Sequence, residues 1–454
     1  METPCVLLNQ PAIFCSLTGS ILLNKIASLC SVDRNGYSVI YRPRIVDAEL
    51  AQRLASAGAV LIEGPKACGK TETARQRASS VVFLDTDLDA RAILSLDPAL
   101  VLDGPTPRLI DEWQVAPAVW NHVRRRVDEA GQAGQFILTG SAMPADDITR
   151  HTGAGRFSRL RMRPMSLFET GHSTGAISLA ALMAGTAARS PQPDLTVRGL
   201  VDRIAIGGWP ALQSHGVTAA LRANRDYLDQ IRRVDVQRVD GVNHDPDKLG
   251  RVLQSLARNV ATEVRISTLA TDAAGSDGAL SRNTVAAYLD TLERLMVVEP
   301  QPAWAPHLRS KAILRNSPKL HFVDPCLAVA ALSANPARLL TDMNLLGFLF
   351  ESLVVRDLRV YAQGLDGQVR HYRDSNGLEV DAIVETDAGQ WAAFEVKLSP
   401  ASVEAGAASL LKFAKGIDTV NCGPPAALTV ITGTGYGYVR PDGIAVIPIG
   451  ALGP

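Results

Sequence analysis

A stretch of eight residues near position 64 constrains this chain more than any other feature of its sequence. It matches the pattern G-x-x-x-x-G-K-[S/T] of a phosphate-binding loop at every fixed position. Its members are Gly64, Pro65, Lys66, Ala67, Cys68, Gly69, Lys70 and Thr71. Residues 59–62 are apolar and predict a buried strand before the loop, while residues 72–78 have a helical pattern after it. Strand, loop and helix therefore follow one another in the order that such a loop requires.

The residue types of this loop suit a bound triphosphate. Its glycines let backbone N–H groups turn toward phosphates at the start of a helix, where partial positive charge favours anions. Lys70 is placed to reach the outer phosphates, and the Thr71 hydroxyl is placed to ligate Mg²⁺. We therefore expect ATP and Mg²⁺ at this loop; the alternative is a glycine-rich turn that binds nothing.

An acidic pair, Asp111 and Glu112, ends a second apolar run at residues 108–112. At the end of a buried strand, Asp111 is expected to hold Mg²⁺ through its water shell. Glu112 is expected to orient or deprotonate an attacking water. The alternative is the acidic first turn of a surface helix, because acidic residues favour that position.

Two further candidates follow the next apolar run. Ser141 comes directly after residues 136–140 and is expected to sense the γ-phosphate or its water; ordinary turn chemistry is the alternative. Four arginines then fall within residues 156–163. Arg156, which follows the glycine-rich residues 153–155, is expected to reach the γ-phosphate from the same chain or from a neighbouring subunit. A solvated basic edge is the alternative for any one of these arginines.

Short apolar strands at residues 59–63, 81–85, 109–112 and 136–140 alternate with helical stretches, which predicts an α/β domain with a parallel sheet. Residues 185–200 predict a surface loop or the connection to a lid. The clearest helices of the following region are predicted at residues 221–234 and 249–260.

The chain has 454 residues, long enough for about three domains. Basic and acidic residues number 46 each, so a nucleic-acid surface requires local clustering. The six cysteines form no CxxC pair, which fits a reduced, cytoplasmic protein, and no apolar run of about 18 residues predicts a membrane helix. We predict a disordered leader at residues 1–37, a nucleotide domain at 38–190, a helical region at 200–335 and a last domain at 340–454.

The helical region contains a candidate winged helix. Residues 265–270 and 281–289 predict consecutive short helices, and an apolar strand follows at residues 292–298. Arg282, Asn283 and Thr284 are expected where a recognition helix meets DNA; contact with a protein is the alternative. Basic side chains at Arg309, Lys311, Arg315 and Lys319 predict phosphate contacts or plain solvated charge.

The last domain contains a pattern of acidic residues on regular elements. Glu351 interrupts a buried helix pattern at residues 345–355, and Asp381 lies on an alternating strand at residues 378–385. Glu395 and Lys397 share one face of the strand at residues 391–398, because apolar side chains occupy the other face. This is the PD-(D/E)XK nuclease constellation, in which acids bind Mg²⁺ and the lysine helps to activate water. A solvent-exposed cross-strand pair is the alternative.

Together these motifs resemble a bacterial and archaeal family of AAA+-like ATPases whose C-terminal domain is of unknown function. The matching residues are 41–44, 64–71, 109–113, 138–141, 155–169, 322–325 and 347–358. The resemblance runs from about residue 40 to the end. It implies a P-loop ATPase module, a helical or winged-helix middle and a restriction-endonuclease-like C-terminal α/β domain.

Three functions are compatible with these observations. The first is a Mg²⁺-dependent ATPase whose nucleotide state moves the C-terminal half. The second is a nucleotide-switched DNA-binding regulator with an inert C-terminal domain, and the third is an ATP-stimulated nuclease. The sequence leaves open whether a protein partner or a homo-oligomer is involved.

Overall fold

The computed structural model describes residues 30–32, 38–141, 152–186, 189–236, 245–275, 278–306 and 317–454. The chain divides into two compact units, Met1–Pro43 and Arg44–Pro454. In the first unit, β1 (Cys30–Val32) pairs antiparallel with β2 (Ser38–Ile40). Most of the predicted leader lies outside the described residues. All features below belong to the second unit.

The predicted nucleotide domain contains a five-stranded parallel sheet in the order β4-β5-β6-β3-β7. Its strands are β3 (Ala59–Glu63), β4 (Ser80–Phe83), β5 (Arg108–Asp111), β6 (Phe136–Gly140) and β7 (Phe157–Arg161). Its helices are α1 (Val46–Ser56), α2 (Lys70–Arg75), α3 (Leu88–Leu96), α4 (Pro98–Leu102) and α5 (Val119–Ala130). The predicted parallel sheet is confirmed, and the four predicted strands match within two residues.

Alternate strand residues fill the two faces of this sheet, as the period of a strand requires. Leu61 packs with Trp113 and Trp120 on one face, while Ile62 packs with Leu50 and other apolar side chains on the other. Both faces are therefore covered, which is the usual condition of a parallel sheet.

The middle of the chain is mainly helical. Its helices are α6 (Leu179–Met183), α7 (Val197–Ile206), α8 (Val217–Gln230), α9 (Pro246–Arg258), α10 (Ile266–Asp272), α11 (Arg282–Arg294), α12 (Pro325–Ala331) and α13 (Pro336–Leu339). Its strands are β8 (Ile177–Ser178), β9 (Val298–Gln301) and β10 (Lys319–Phe322). The loop predicted at 185–200 is wrong from residue 197 onward, because Thr196 caps α7 by accepting from the Gly199 N–H.

Helix α8 continues as a π-helical turn over Ile231–Asp235. Strands β9 and β10 pair antiparallel, with Lys319 opposite Gln301 and His321 opposite Glu299. The short helices predicted near residues 265 and 281 are present as α10 and α11, and this two-stranded sheet follows them along the chain.

The C-terminal domain has a six-stranded mixed sheet in the order β11-β12-β13-β14-β16-β15. Its strands are β11 (Gly367–Arg373), β12 (Glu379–Thr386), β13 (Trp391–Lys397), β14 (Ala427–Thr432), β15 (Tyr438–Val439) and β16 (Ala445–Pro448). Its helices are α14 (Met343–Gln363), α15 (Val403–Gly416) and α16 (Thr419–Cys422).

The last strand, β17 (Leu452–Gly453), returns to the middle region and pairs in parallel with β8. Helix α14 packs with the large core that includes the middle helices, while α15 covers the opposite face of the sheet. Within the described residues, no helix combines the length and apolar character needed to cross a membrane.

Candidate functional sites

The phosphate-binding loop connects β3 to α2 and folds around its own lysine. Ala67 and Gly69 both have left-handed backbone conformations, with φ of 61° and 104°. Lys70 Nζ donates to the carbonyl oxygens of Gly64 and Pro65, both at 2.9 Å. Only 5 % of Lys70 is exposed. A positive charge is therefore fixed inside the loop, beside the start of α2.

The Thr71 hydroxyl and the Asp111 carboxylate lie together next to this loop. Thr71 Oγ1 donates to Asp111 Oδ1 at 2.9 Å, and the Thr139 hydroxyl donates to the same oxygen. Burial raises the pKa of Asp111, and the two hydroxyl groups oppose that rise. A hydroxyl and a carboxylate are the oxygen donors that suit Mg²⁺ beside a phosphate chain. These residues therefore fit the magnesium ion that such a loop implies.

Glu112 directly follows the last residue of β5. Its backbone is left-handed, with φ of 53°, a conformation that costs about 1–3 kcal/mol in a residue other than glycine. Ser141 Oγ lies 3.3 Å from Glu112 Oε2, and the Gln114 side-chain amide donates to the same oxygen. Burial raises the pKa of Glu112, and the charge of Lys70 opposes that rise. The structure thus places Glu112 and Ser141 together.

Gln114 was not identified from the sequence, although it follows Glu112 by only two positions. Its Oε1 is buried and has no hydrogen-bond partner among the described residues. A Cβ on Gly140 would lie 2.8 Å from the Trp113 indole nitrogen and 2.9 Å from this oxygen, so a larger residue at position 140 would displace both side chains. Gln114 therefore belongs to the same part of the site as Glu112 and Ser141.

Arg44 is a second residue that the sequence did not assign to the loop, although it lies in a motif shared with the resembling family. Its guanidinium donates to the carbonyl oxygens of Cys68 at 2.9 Å and Arg163 at 2.7 Å. It also pairs with Glu169 at 2.9 Å. This buried arginine ties the phosphate-binding loop to the segment that follows β7.

The helical region also contacts the loop, through Lys66. Lys66 Nζ lies 2.5 Å from Asp235 Oδ1, at the end of the π-helical turn. The Trp209 indole N–H donates to the Lys66 carbonyl oxygen at 3.0 Å. A change in the conformation of the loop would therefore act directly on the middle helices.

Arg156 is placed away from this site. In the parallel pair β3–β7, Phe157 lies opposite Ala59 and Arg161 lies opposite Glu63, so Arg156 precedes the start of β7. The phosphate-binding loop follows the other end of β3, about 16 Å away at a rise of 3.3 Å per residue. Arg156 pairs instead with Asp128 at 2.8 Å. The expectation that Arg156 reaches the γ-phosphate from the same chain is therefore wrong; contact from a neighbouring subunit stays a prediction.

In the C-terminal domain, the structure brings Glu351, Asp381, Glu395 and Lys397 together. Lys397 Nζ lies 2.6 Å from Glu395 Oε2 and 3.8 Å from Asp381 Oδ2. Ser409 Oγ of α15 donates to Glu395 Oε1 at 3.1 Å. Only 3 % of Glu395 is exposed, so the alternative of a solvent-exposed pair is wrong.

Lys319 is the residue of this cluster that sequence reasoning missed. Its Nζ lies 2.6 Å from Glu351 Oε1 and 3.6 Å from Asp381 Oδ1, and the residue is 5 % exposed. Because Lys319 is buried and paired, both roles predicted for it, a phosphate contact and a solvated surface charge, are wrong. The available signal was a lysine at the start of a four-residue strand that also contains Leu320, His321 and Phe322. Arg309, Lys311 and Arg315 lie outside the described residues.

The cluster borders a cavity of about 590 Å³ at the junction of the middle region and the C-terminal domain. The charged side chains that line it are Glu263, Lys319, Glu351, Arg373, Glu379, Asp381 and Lys397. Burial and the charge of Asp381 raise the pKa of Glu351 to about 8. Among the described residues, no group of three or more His, Cys, Asp or Glu side chains is placed to hold a metal ion.

Comparison with known families divides the chain in a similar way. Residues 56–171 match an AAA domain, residues 197–338 match a domain of unknown function (DUF8612) and residues 346–452 match a second one (DUF4143). No curated protein matches the chain. The first match and the five-stranded parallel sheet identify an AAA-type, P-loop NTPase-like domain, which is typical of nucleotide binding.

Proposed function

We propose that this chain is an ATP-binding, Mg²⁺-dependent ATPase that passes its nucleotide state to its C-terminal half. The observation that carries the proposal is the meeting of Lys70, Thr71, Asp111 and Glu112 at one edge of the parallel sheet. In open α/β sheets, ligands bind outside the carboxyl ends of the strands, which is where these four side chains lie.

Each side chain has a distinct role in this proposal. The backbone N–H groups of the loop and the Lys70 ammonium hold the phosphates, while Thr71 and Asp111 hold Mg²⁺, which neutralises phosphate charge when bound. Glu112 accepts a proton from the attacking water, and Ser141 helps to orient that carboxylate. The raised pKa of Glu112 makes it a stronger base than an ordinary glutamate. The products are ADP and inorganic phosphate.

Direct contacts provide a route from this site to the rest of the chain. Lys66 pairs with Asp235 of the helical region. Arg163, just beyond β7, pairs with Glu299 of β9 at 2.7 Å and bonds Gln363 of α14 at 3.0 Å. A movement of the loop or of the end of β7 would therefore displace both later regions.

Glu112→Gln tests the hydrolytic role. We expect ATP turnover to fall roughly 100-fold or more, because an amide cannot accept the proton, while binding of a fluorescent ATP analogue persists. Phosphate release and fluorescence anisotropy measure the two quantities. Glu129→Gln, an exposed glutamate on α5, is the matched control and should keep full turnover. Undiminished turnover in Glu112→Gln would remove this carboxylate from the chemistry.

A second candidate function is a nucleotide-switched DNA-binding regulator with slow turnover. Arg282 and Asn283 are exposed in the first turn of α11, where Ser281 Oγ accepts from the Thr284 N–H at 3.0 Å. Exposed polar side chains at the start of a helix suit contact with DNA, and the antiparallel pair β9–β10 follows this helix.

Phosphate release with and without duplex DNA separates the two candidates. The ATPase proposal expects steady turnover, whereas the regulator expects DNA binding that changes with nucleotide and little turnover. In the regulator, Arg282→Ala should weaken DNA binding several-fold and reduce its salt dependence. Arg198→Ala, an exposed arginine on α7, serves as the control. If the unaltered chain binds no DNA in any nucleotide state, the regulator is excluded.

A further inference from the structure

Each carboxylate of the C-terminal cluster faces an ammonium group of the same chain. Glu351 and one oxygen of Asp381 face Lys319, at 2.6 Å and 3.6 Å. The other oxygen of Asp381 and Glu395 face Lys397, at 3.8 Å and 2.6 Å. Lys397 belongs to the C-terminal sheet, but Lys319 enters from β10 of the middle region. The positive charge between Glu351 and Asp381 is thus supplied by a different region of the chain.

The surroundings of Lys319 keep it charged. Its ammonium nitrogen lies 2.6 Å from a carboxylate oxygen of Glu351 and 3.6 Å from one of Asp381. Opposite charges this close favour the charged form of a lysine. The pocket around Lys319 therefore suits an ammonium group.

Lys319 is also held firmly in position. Its partner across the β9–β10 pair is Gln301. The Gln301 side-chain amide donates to the carbonyl oxygens of Arg370 at 3.0 Å and Asp381 at 2.9 Å, which ties β9 to the C-terminal sheet. His321 Nε2 lies 3.0 Å from Gln301 Oε1. These buried contacts fix the strand pair against the strands that carry the carboxylates.

This arrangement does not fit the metal ion that a PD-(D/E)XK constellation implies. A divalent ion such as Mg²⁺ binds carboxylate oxygens at about 2.1 Å. The ammonium that lies 2.6 Å from Glu351 Oε1 would repel such an ion and compete for the same oxygen. No group of three metal-ligating side chains is placed to hold a metal within the residues that the structure describes.

We propose that Lys319 is the built-in cation of this cavity: its ammonium takes the position between Glu351 and Asp381 that a divalent metal would need. The cavity stays closed to metal for as long as β10 remains paired with β9 and seated on the C-terminal sheet. Metal-dependent phosphodiester cleavage does not proceed in this arrangement. The inference concerns the C-terminal cavity alone and does not depend on the nucleotide site.

Binding of Mn²⁺ to the nucleotide-free full chain tests the proposal. Lys319→Met keeps the apolar stem but removes the charge. It should gain one Mn²⁺ site per chain, roughly tenfold or more tighter than any Glu351-dependent binding in the unaltered chain. Adding Glu351→Gln to Lys319→Met should abolish the gained site. Binding through Asp111 is common to all variants, so it cancels from the comparison. Electron paramagnetic resonance of free Mn²⁺ measures the stoichiometry.

Two results would overturn the proposal. One is a Mn²⁺ site in the unaltered chain that disappears in Glu351→Gln, since Lys319 would then not exclude metal. The other is a Lys319→Met chain, folded by circular dichroism, that binds no more Mn²⁺ than the unaltered chain. Lys319→Gln repeats the test if Lys319→Met does not fold. If neither variant folds, Mn²⁺ binding to the unaltered chain and to Glu351→Gln decides. A Mn²⁺ site that is lost in Glu351→Gln refutes the proposal. Equal Mn²⁺ binding by the two chains at saturating Mn²⁺ supports it.

Discussion

Replacing Lys70 with alanine is expected to lower ATP turnover roughly 100-fold or more and to weaken nucleotide binding. The Lys70 ammonium is buried and held at 2.9 Å from two carbonyl oxygens of the phosphate-binding loop. No water-exposed lysine could replace a charge fixed in this position. The substitution also removes two hydrogen bonds that hold the loop closed, so the backbone N–H groups lose part of their fixed orientation.

Phosphate release and binding of a fluorescent ATP analogue measure these two effects. Lys412→Ala is the matched control, because Lys412 is an exposed lysine on α15 of the C-terminal domain. Thermal unfolding of both variants separates a loss of function from a loss of fold. Unchanged turnover in a folded Lys70→Ala chain would refute the proposed ATPase site.

Asp324→Ala is expected to destabilise the protein by about 3–5 kcal/mol, or to prevent its folding. Asp324 is fully buried. Its Oδ2 accepts from Arg356 Nη1 at 2.7 Å and from the Gly208 N–H at 2.9 Å, while its Oδ1 accepts from the Cys326 N–H at 3.0 Å. Removing the carboxylate leaves part of a buried guanidinium and two buried N–H groups without their partner.

Asp342→Ala provides a matched comparison for Asp324→Ala. Asp342 also caps a helix, accepting from the Leu345 N–H at 3.0 Å, but it is exposed and forms no ion pair with an arginine within the described part of the chain. Loss of such a cap costs about 1 kcal/mol. Urea unfolding followed by circular dichroism compares the midpoints of the two variants. Equal losses of unfolding free energy in the two variants would show that the buried ion pair adds nothing beyond the cap.

The nucleotide site is the part of the structure that the sequence predicts best. Strands β3 and β6 have the bounds expected from their apolar runs. Once these strands are parallel, the polar residues that follow them must share one edge of the sheet. That is why Thr71, Asp111 and Ser141 could be assigned to one site from motifs alone. The roles proposed for them remain predictions.

Other placements depend on contacts that local patterns do not contain. The run that forms β7 contains Arg159 and Arg161 and was not predicted as a strand, so its direction, and with it the position of Arg156, could not be derived. Lys319 meets Glu351 only because β10 is brought against α14 by the whole core. Such long-range pairs follow from packing rather than from the period of a segment.

The antiparallel pair β9–β10 contacts both the nucleotide domain and the C-terminal cavity. Glu299 on β9 binds Arg163 of the nucleotide domain, and Lys319 on β10 faces the cavity. Coupling free energy between two binding sites acts equally in both directions. If ATP binding shifts the β9–β10 pair and thereby changes the affinity of the cavity for a ligand, that ligand must change the affinity of the chain for ATP by the same factor. A small molecule selected to fill the cavity would then act as a remote effector of the nucleotide pocket.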